Sequence, residues 1–404
     1  MEFHTYTLPN GIRGIHRQVR GSVAHCALVV GAGSRDERPG EYGLAHLTEH
    51  AFFKGTARRR AWQVNCRLEN LGGELNAFTT KEDTTIHATT LRGDFARAVE
   101  LIADVAFRSS FPERELEREK EVIVDEINTY KDSPADSIYD TFEEMIFQGS
   151  ELGHNILGTK ASIARYDTQR VRRFVDRTYT TDQMVFSSIG SMSVKSAQSI
   201  AERYFAAYPS ASRTFRRTAP APSPAFEKTV GKHTHQVHCV MGVRAYDIND
   251  ERRLPLALLV NILGGPSANS RLNVSLREKN GLSYNIEASY TPYNDCGLAA
   301  IYFSSDHSNA DHCRELIDRE LDALRRTKLT PRQLSMAKRQ FLAQMAISME
   351  SNEGYMLGAG KSFLVHDDID TMEDVYKKVA TVTADRIAEA AEEVFSDMST
   401  LIYK

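Results

Sequence analysis

The sequence predicts an α+β protein of two homologous domains, each an antiparallel β-sheet packed with α-helices. Three observations lead there. Strand-like runs give way to helical periods in the first half, the same order recurs at low similarity in the second, and a Pro-rich stretch separates them near the midpoint of the 404 residues.

The elements follow in order. Phe3 to Leu8 alternates and runs into the turn signal Pro9-Asn10-Gly11. Val23 to Val30 is a second β-like run, closed by Gly31-Ala32-Gly33-Ser34. Gly40 to Lys54 switches to a helical period through Leu44, Leu47, His50 and Ala51. Ala61 to Leu71 is helical, Gly72-Gly73 breaks it, and Glu74 to Leu91 reads as a Thr-rich strand pair. Helices follow at Asp94 to Phe107 and at Glu113 to about Lys131, the latter opened by Pro112. Asp140 to Phe147 and Thr168 to Tyr179 are helical, Gln183 to Ile189 is a strand, and a helix capped by Ser193 spans about Val194 to Tyr208.

From about Pro209 to Phe226 prolines sit among Ser, Ala, Thr and Arg. The expected division is 1–212, a linker at 213–226, and 227–404. The second half then offers a strand (His233 to Val243), helices (Leu254 to Leu263, Ser270 to Lys279) and a strand pair (Leu282 to Ser304). Four helices close the order: His312 to Arg326, Pro331 to Met349, Met372 to Lys378 and Ala384 to Val394.

Composition narrows the function. The formal net charge is −4 with both signs dispersed, which argues against nucleic acid as a partner. Arg58-Arg59-Arg60, the one compact basic run, reads as a solvated stretch. No apolar run approaches a membrane span, and Met1-Glu2-Phe3-His4-Thr5 lacks the basic start and apolar core of a signal peptide. The expectation is a cytoplasmic protein that does not engage a membrane. Five cysteines without a Cys-x-x-Cys pair predict free thiols, so a metal would need His and carboxylate ligands.

His46-Leu47-Thr48-Glu49-His50 supplies such ligands. Residues four apart on a helix project from one face about a turn apart, and Glu49 shares their arc. Two neutral imidazoles suit zinc, and a carboxylate beside them can take a proton from a coordinated water. This is the inverted zinc motif; the alternative is a helix with two surface histidines. A catalytic zinc needs a third protein ligand. Glu126, 76 residues after His50, is the best candidate, because the apolar positions around it predict a packed helix, where an unpaired carboxylate is costly. Glu119, seven residues earlier, is near the same face and could accept a hydrogen bond from a ligand imidazole, or be an ordinary solvated glutamate. His233, His235 and His238 have no accompanying carboxylate and read as a solvent-facing strand.

These residues resemble the pitrilysin/insulinase family of zinc peptidases, which includes the mitochondrial processing peptidases. Gly43 to His50 running into Phe53-Lys54-Gly55-Thr56, the interval to Glu126, Gly73 with Asn76, Ala77 and Thr79, and Leu152-Gly153-His154 with Ile156-Leu157-Gly158 are all similar to family blocks. So are Ser270-Arg271-Leu272, Leu276 to Lys279 and Gly281-Leu282-Ser283-Tyr284. The length resembles the single bacterial processing-peptidase-like subunits. The resemblance implies the corresponding metallohydrolase fold and one zinc ion per chain on His46, His50 and Glu126, with Glu49 as general base. It implies that Asn76 and Ala77 receive the substrate backbone by strand addition, and that Arg277 and Tyr284 contact the peptide at the scissile bond and help stabilise the oxyanion. It further implies an endopeptidase acting on peptides or unfolded segments inside a dimeric chamber. A homodimer suffices, since one chain carries both sets of residues; a heterodimer with a paralogue is the other arrangement. The runner-up is a non-catalytic or partner-dependent scaffold subunit.

Overall fold

The computed structural model describes residues 3–404, so Met1 and Glu2 of the N-terminal reading lie outside the described residues. By packing, the chain forms two units. The first takes the chain up to Asn128 with His154–Thr218 and Ile347–Thr371; the second takes Thr129–Gly153, Ala219–Ala346 and Met372–Lys404.

The first unit holds a six-stranded sheet in the order β1-β2-β6-β3-β5-β4. Its strands are β1 (His4–Thr7), β2 (Arg13–Gln18), β3 (Val23–Val30), β4 (Glu74–Thr79), β5 (Thr84–Leu91) and β6 (Met184–Gly190). The second holds five strands in the order β7-β11-β8-β10-β9. These are β7 (Glu227–Val230), β8 (Val237–Ala245), β9 (Ile286–Pro292), β10 (Gly297–Ser305) and β11 (Ser399–Tyr403). With β1 set aside the two orders coincide: first strand, last strand, then the second, fourth and third. The expected repetition is thus a repeated topology. The two-domain α+β class holds, but the sheets are mixed and not purely antiparallel, because β2 runs parallel to β6 and β11 parallel to β7. With β1 again set aside, each parallel pair joins the first and last strands in chain order, a pairing that local periodicity does not reveal.

The helices are α1 (Leu44–Phe52), α2 (Ala61–Glu69), α3 (Phe95–Arg108), α4 (Glu113–Asp132), α5 (Pro134–Ile146), α6 (Lys160–Ile163), α7 (Thr168–Thr178) and α8 (Val194–Phe205). In the later part they are α9 (Arg253–Gly264), α10 (Ala310–Arg326), α11 (Pro331–Met349), α12 (Asn352–His366), α13 (Met372–Thr381) and α14 (Ala384–Phe395). Ser193 caps α8 as expected, accepting from the Ser196 N–H at 3.3 Å.

Strand side chains alternate between faces, so every fully buried strand has two faces to cover. In the first unit Leu28, Val30 and Phe186 pack with Leu47, Phe52, Leu101, Ile102 and Val105 of α1 and α3. On the other face Ile15 and Val185 meet Ala359 and Phe363, and Ala27 and Ile189 meet Met356, all from α12. In the second unit Cys239, Met241, Ile301 and Phe303 pack with α9, α10 and α14, while Val240, Ala300 and Leu401 meet Ile138 and Phe142 of α5. Helices therefore cover both faces of each sheet. The covering helix in each case comes from the other half of the chain, so the expected boundary at 213–226 is crossed by two segments.

α12 has no counterpart among the expected helices because Gly354, Gly358 and Gly360 look like breakers in its sequence. At Gly360 the packing explains the residue: a Cβ there would lie 3.0 Å from Val29 Cγ2 and 3.1 Å from Ser187 Cβ. Gly360→Val is expected to overpack this contact and destabilise the protein by about 1–3 kcal/mol in denaturant unfolding.

The segment expected to be a linker is anchored. Arg217 Nη2 donates to Asp36 Oδ2 at 2.7 Å and to the Glu82 carbonyl at 2.6 Å, while Arg35 Nη2 donates to the Thr218 carbonyl at 2.8 Å. Arg59 also departs from the solvated reading: it bonds Asp104 at 2.5 Å and Glu100 at 2.8 Å, between exposed Arg58 and Arg60. All five cysteines are free. No helix among the described residues is long and apolar enough to cross a membrane.

Candidate metal centre

α1 begins at Gly43, whose φ of 88° is left-handed, a conformation that glycine adopts at no steric cost. Leu44, Leu47, Ala51 and Phe52 bury one side of this helix in the core. That places His46, Glu49 and His50 along its other border, with His46 buried and the other two half-buried. The two imidazole rings are 4.6 Å apart at 61°.

α4 brings the carboxylates. Leu116, Ile123 and Ile127 anchor it to the same core, and Glu119 and Glu126, two turns apart, face α1. Glu126 Oε2 lies 3.6 Å from His46 Nε2 and 3.8 Å from His50 Nε2. Glu119 bonds the other side of His50, its Oε2 accepting from Nδ1 at 3.1 Å, and its Oε1 takes Lys54 Nζ at 2.8 Å. The proton of His50 is thereby held on Nδ1, which leaves the Nε2 lone pair facing Glu126. Burial pushes the Glu119 carboxyl up, but the bonds from His50 and Lys54 outweigh it and hold it below the usual range. Glu119 is 7% exposed, so the solvated-glutamate alternative does not apply.

The donor set fits zinc. One ligand atom each from His46, His50 and Glu126 lies within 4.8 Å of the others, the only such group among the described residues. Tetrahedral zinc, with bonds of about 2.0–2.2 Å, brings ligand atoms to roughly 3.3 Å of one another. The carboxylate and the two imidazole nitrogens are slightly too far apart to hydrogen-bond and close enough to share one cation. Burial, helped by His50, pushes His46 down to about 3, so its imidazole is neutral and able to ligate.

Glu49 stands outside this trio. Burial raises its carboxyl above the usual range; Thr79 and His50 oppose the shift and Glu126 adds to it. Thr79, which hydrogen-bonds Glu49, ends β4, the edge strand that also carries Asn76 and Ala77. Among the described residues β4 pairs only with β5 and so forms an edge of the sheet. Asn76 is exposed, and its Oδ1 accepts from the Ala77 N–H at 2.9 Å.

Arg277 and Tyr284 belong to the second unit. Arg277 lies on the π-helical segment Asn273–Lys279 and is exposed. Tyr284 follows it and is 77% exposed. His238 Nδ1 bonds the Tyr302 hydroxyl at 2.9 Å, and the histidines near it form no metal group among the described residues. Sequence reasoning assigned no role to Lys54, Thr79, Glu37 or His154. Lys54 carried a faint signal, one helical turn beyond His50; Glu37 carried none.

Fold and site together define a class: a two-domain α+β protein in which two histidines and a glutamate form a donor set that fits zinc, with a further carboxylate beside it. Comparison with known proteins places it further. Residues 15–160 match the family described as Insulinase (Peptidase family M16), and residues 165–341 match the Peptidase M16 inactive domain. The chain is 32% identical over 394 residues to YmxG, an uncharacterized zinc protease of Bacillus subtilis, covering 97% of this chain and 95% of that one. It is 31% identical over 406 residues to an uncharacterized zinc protease of Streptomyces coelicolor, covering 98% and 88%. Among solved structures, a peptidase M16 inactive domain from Pseudomonas fluorescens superposes with a TM-score of 0.92 at 20% identity, covering 100% of this chain and 98% of that one. A protease from Helicobacter pylori gives 0.92 at 19% identity, covering 100% and 99%. The chain belongs to the insulinase (M16) peptidase family.

Proposed function

We propose that the protein is a zinc-dependent metalloendopeptidase that hydrolyses peptides or unfolded polypeptide segments, working as a homodimer. The observation that carries this reading is the convergence of His46, His50 and Glu126 beside a further carboxylate, Glu49. When bound there, zinc would acidify a coordinated water and polarise the substrate carbonyl. The chain's own residues do the rest. Glu49 accepts the proton of the attacking water and passes it to the leaving amine, a task suited to a carboxyl whose affinity for protons is raised. Glu119 keeps His50 in the tautomer that presents Nε2. The edge strand β4, with Asn76 and Ala77, takes the substrate backbone as an added strand, which favours extended segments over folded ones. Arg277 and Tyr284, both exposed in their own unit, would bind the peptide near the scissile bond in the site of a second copy.

A panel of quenched peptides, run with and without chelator, tests the reading. Cleavage should stop with chelator and return with zinc, and the active species should have twice the mass of the chain. A fully active monomer would overturn the dimer. Metal binding without cleavage, followed by cleavage once a paralogue is added, would favour the partner-dependent subunit.

A further inference from the structure

Glu37 has no part in the chemistry above, yet it is buried, at 3% exposure, against the helix that carries His46 and His50. Its Oε1 accepts from the Ala45 N–H at 2.7 Å and its Oε2 from the Gly43 N–H at 3.0 Å. Donors in the first turn of a helix have no acceptor within the helix itself, so Glu37 caps α1 from outside.

His154 secures the cap. Its Nε2 lies 2.9 Å from both Glu37 Oε2 and the Ser34 carbonyl. Both neighbours are acceptors, so Nε2 carries the hydrogen. Lys81 Nζ holds the His154 carbonyl at 2.5 Å, and the Tyr42 ring stacks on the imidazole at 4.2 Å. The chain after His154 also presses on the start of α1: a Cβ on Gly43 would lie 2.6 Å from the Leu157 carbonyl oxygen, and one on Gly158 would lie 2.4 Å from that of Tyr42.

The two ligand histidines differ in support. His50 is oriented by Glu119 through its Nδ1. The Nδ1 of His46 is buried and has no hydrogen-bond partner among the described residues. The aim of the His46 ring therefore depends on where the first turn of α1 is held. We infer that Glu37, oriented by His154, is a positioning residue for the metal centre: it fixes the first turn of α1 and so directs His46 towards Glu126. This rests on the metal-site reading above, though not on which bonds the enzyme cleaves.

The test compares the wild type with Glu37→Gln, His154→Leu and His154→Gln. Glu37→Gln places an amide donor against donors, His154→Leu removes the N–H, and His154→Gln keeps one. Two readouts are independent of turnover: cobalt(II) titration followed by visible absorption, and amide exchange of residues 43–47 in metal-free protein. Glu37→Gln and His154→Leu should weaken cobalt binding about 10- to 100-fold, the range for losing an outer partner of a metal ligand. They should also speed exchange at 43–47, while His154→Gln stays near the wild type. Should Glu37→Gln not fold, the two His154 variants decide the matter alone. Wild-type cobalt affinity and spectrum in His154→Leu, with only the melting temperature lowered, would overturn the inference and leave the metal site standing. A wild type that takes up no cobalt would overturn both.

Discussion

Glu49→Gln is expected to retain one zinc per chain and to lose peptide hydrolysis by about 10²- to 10⁴-fold, the usual contribution of a positioned general base. The amide has the shape of the carboxylate and can still accept a hydrogen bond from Thr79, the neighbour of Glu49 at the end of β4. It cannot take up a proton. The three grouped ligand atoms belong to other residues, so affinity for the metal should change little. Metal analysis of the purified variant and hydrolysis of a quenched peptide separate the two effects. Turnover at the wild-type rate would remove Glu49 from its assigned role.

Glu126→Gln is expected to do the reverse and empty the centre. Glu126 is the one anion among the three grouped ligand atoms, and only the two imidazoles are left without it. The loss in zinc affinity should exceed the roughly 10- to 100-fold typical of outer partners. Stability of the metal-free protein should change by less than about 1 kcal/mol, because Glu126 is half-buried and its removal strands no charge beside a neutral His46. Zinc should raise the melting temperature of the wild type, since it binds only the folded state, and should fail to do so for the variant. An equal zinc-induced rise in both proteins would mean that the third ligand lies elsewhere.

Glu119 and Glu126 show how far sequence reasoning could go. Their seven-residue spacing places both on one face of α4, which marks both as candidates. Spacing cannot say which carboxylate meets the Nε2 lone pairs and which meets His50 Nδ1. The depth at which α4 crosses α1 decides it: Glu126 lies 3.6 and 3.8 Å from the two Nε2 atoms, and Glu119 lies 3.1 Å from Nδ1. β2, β7 and β11 escaped notice for a related reason. They are short, and β2 and β7 are largely polar; each has a pairing partner far along the chain, as Arg13 pairs with Val185 and Thr400 with Glu227. A strand of this kind is made by its neighbours more than by its own residues.

The sequence by itself determined what lies within a few turns of backbone. His46, Glu49 and His50 share one side of α1 because 3.6 residues per turn puts them there, and the strand and helix periods were enough for the two-domain class. Tertiary structure alone decided three things: that α5 and α12 each cover the sheet formed largely by the other half of the chain, that both sheets include a parallel pair, and that Glu37 and His154 hold the start of α1. The physical reason is the same for all three. Hydrogen-bonding period and side-chain alternation are local, whereas the contacts of Glu37 with His154, 117 residues apart, exist only once the core has packed.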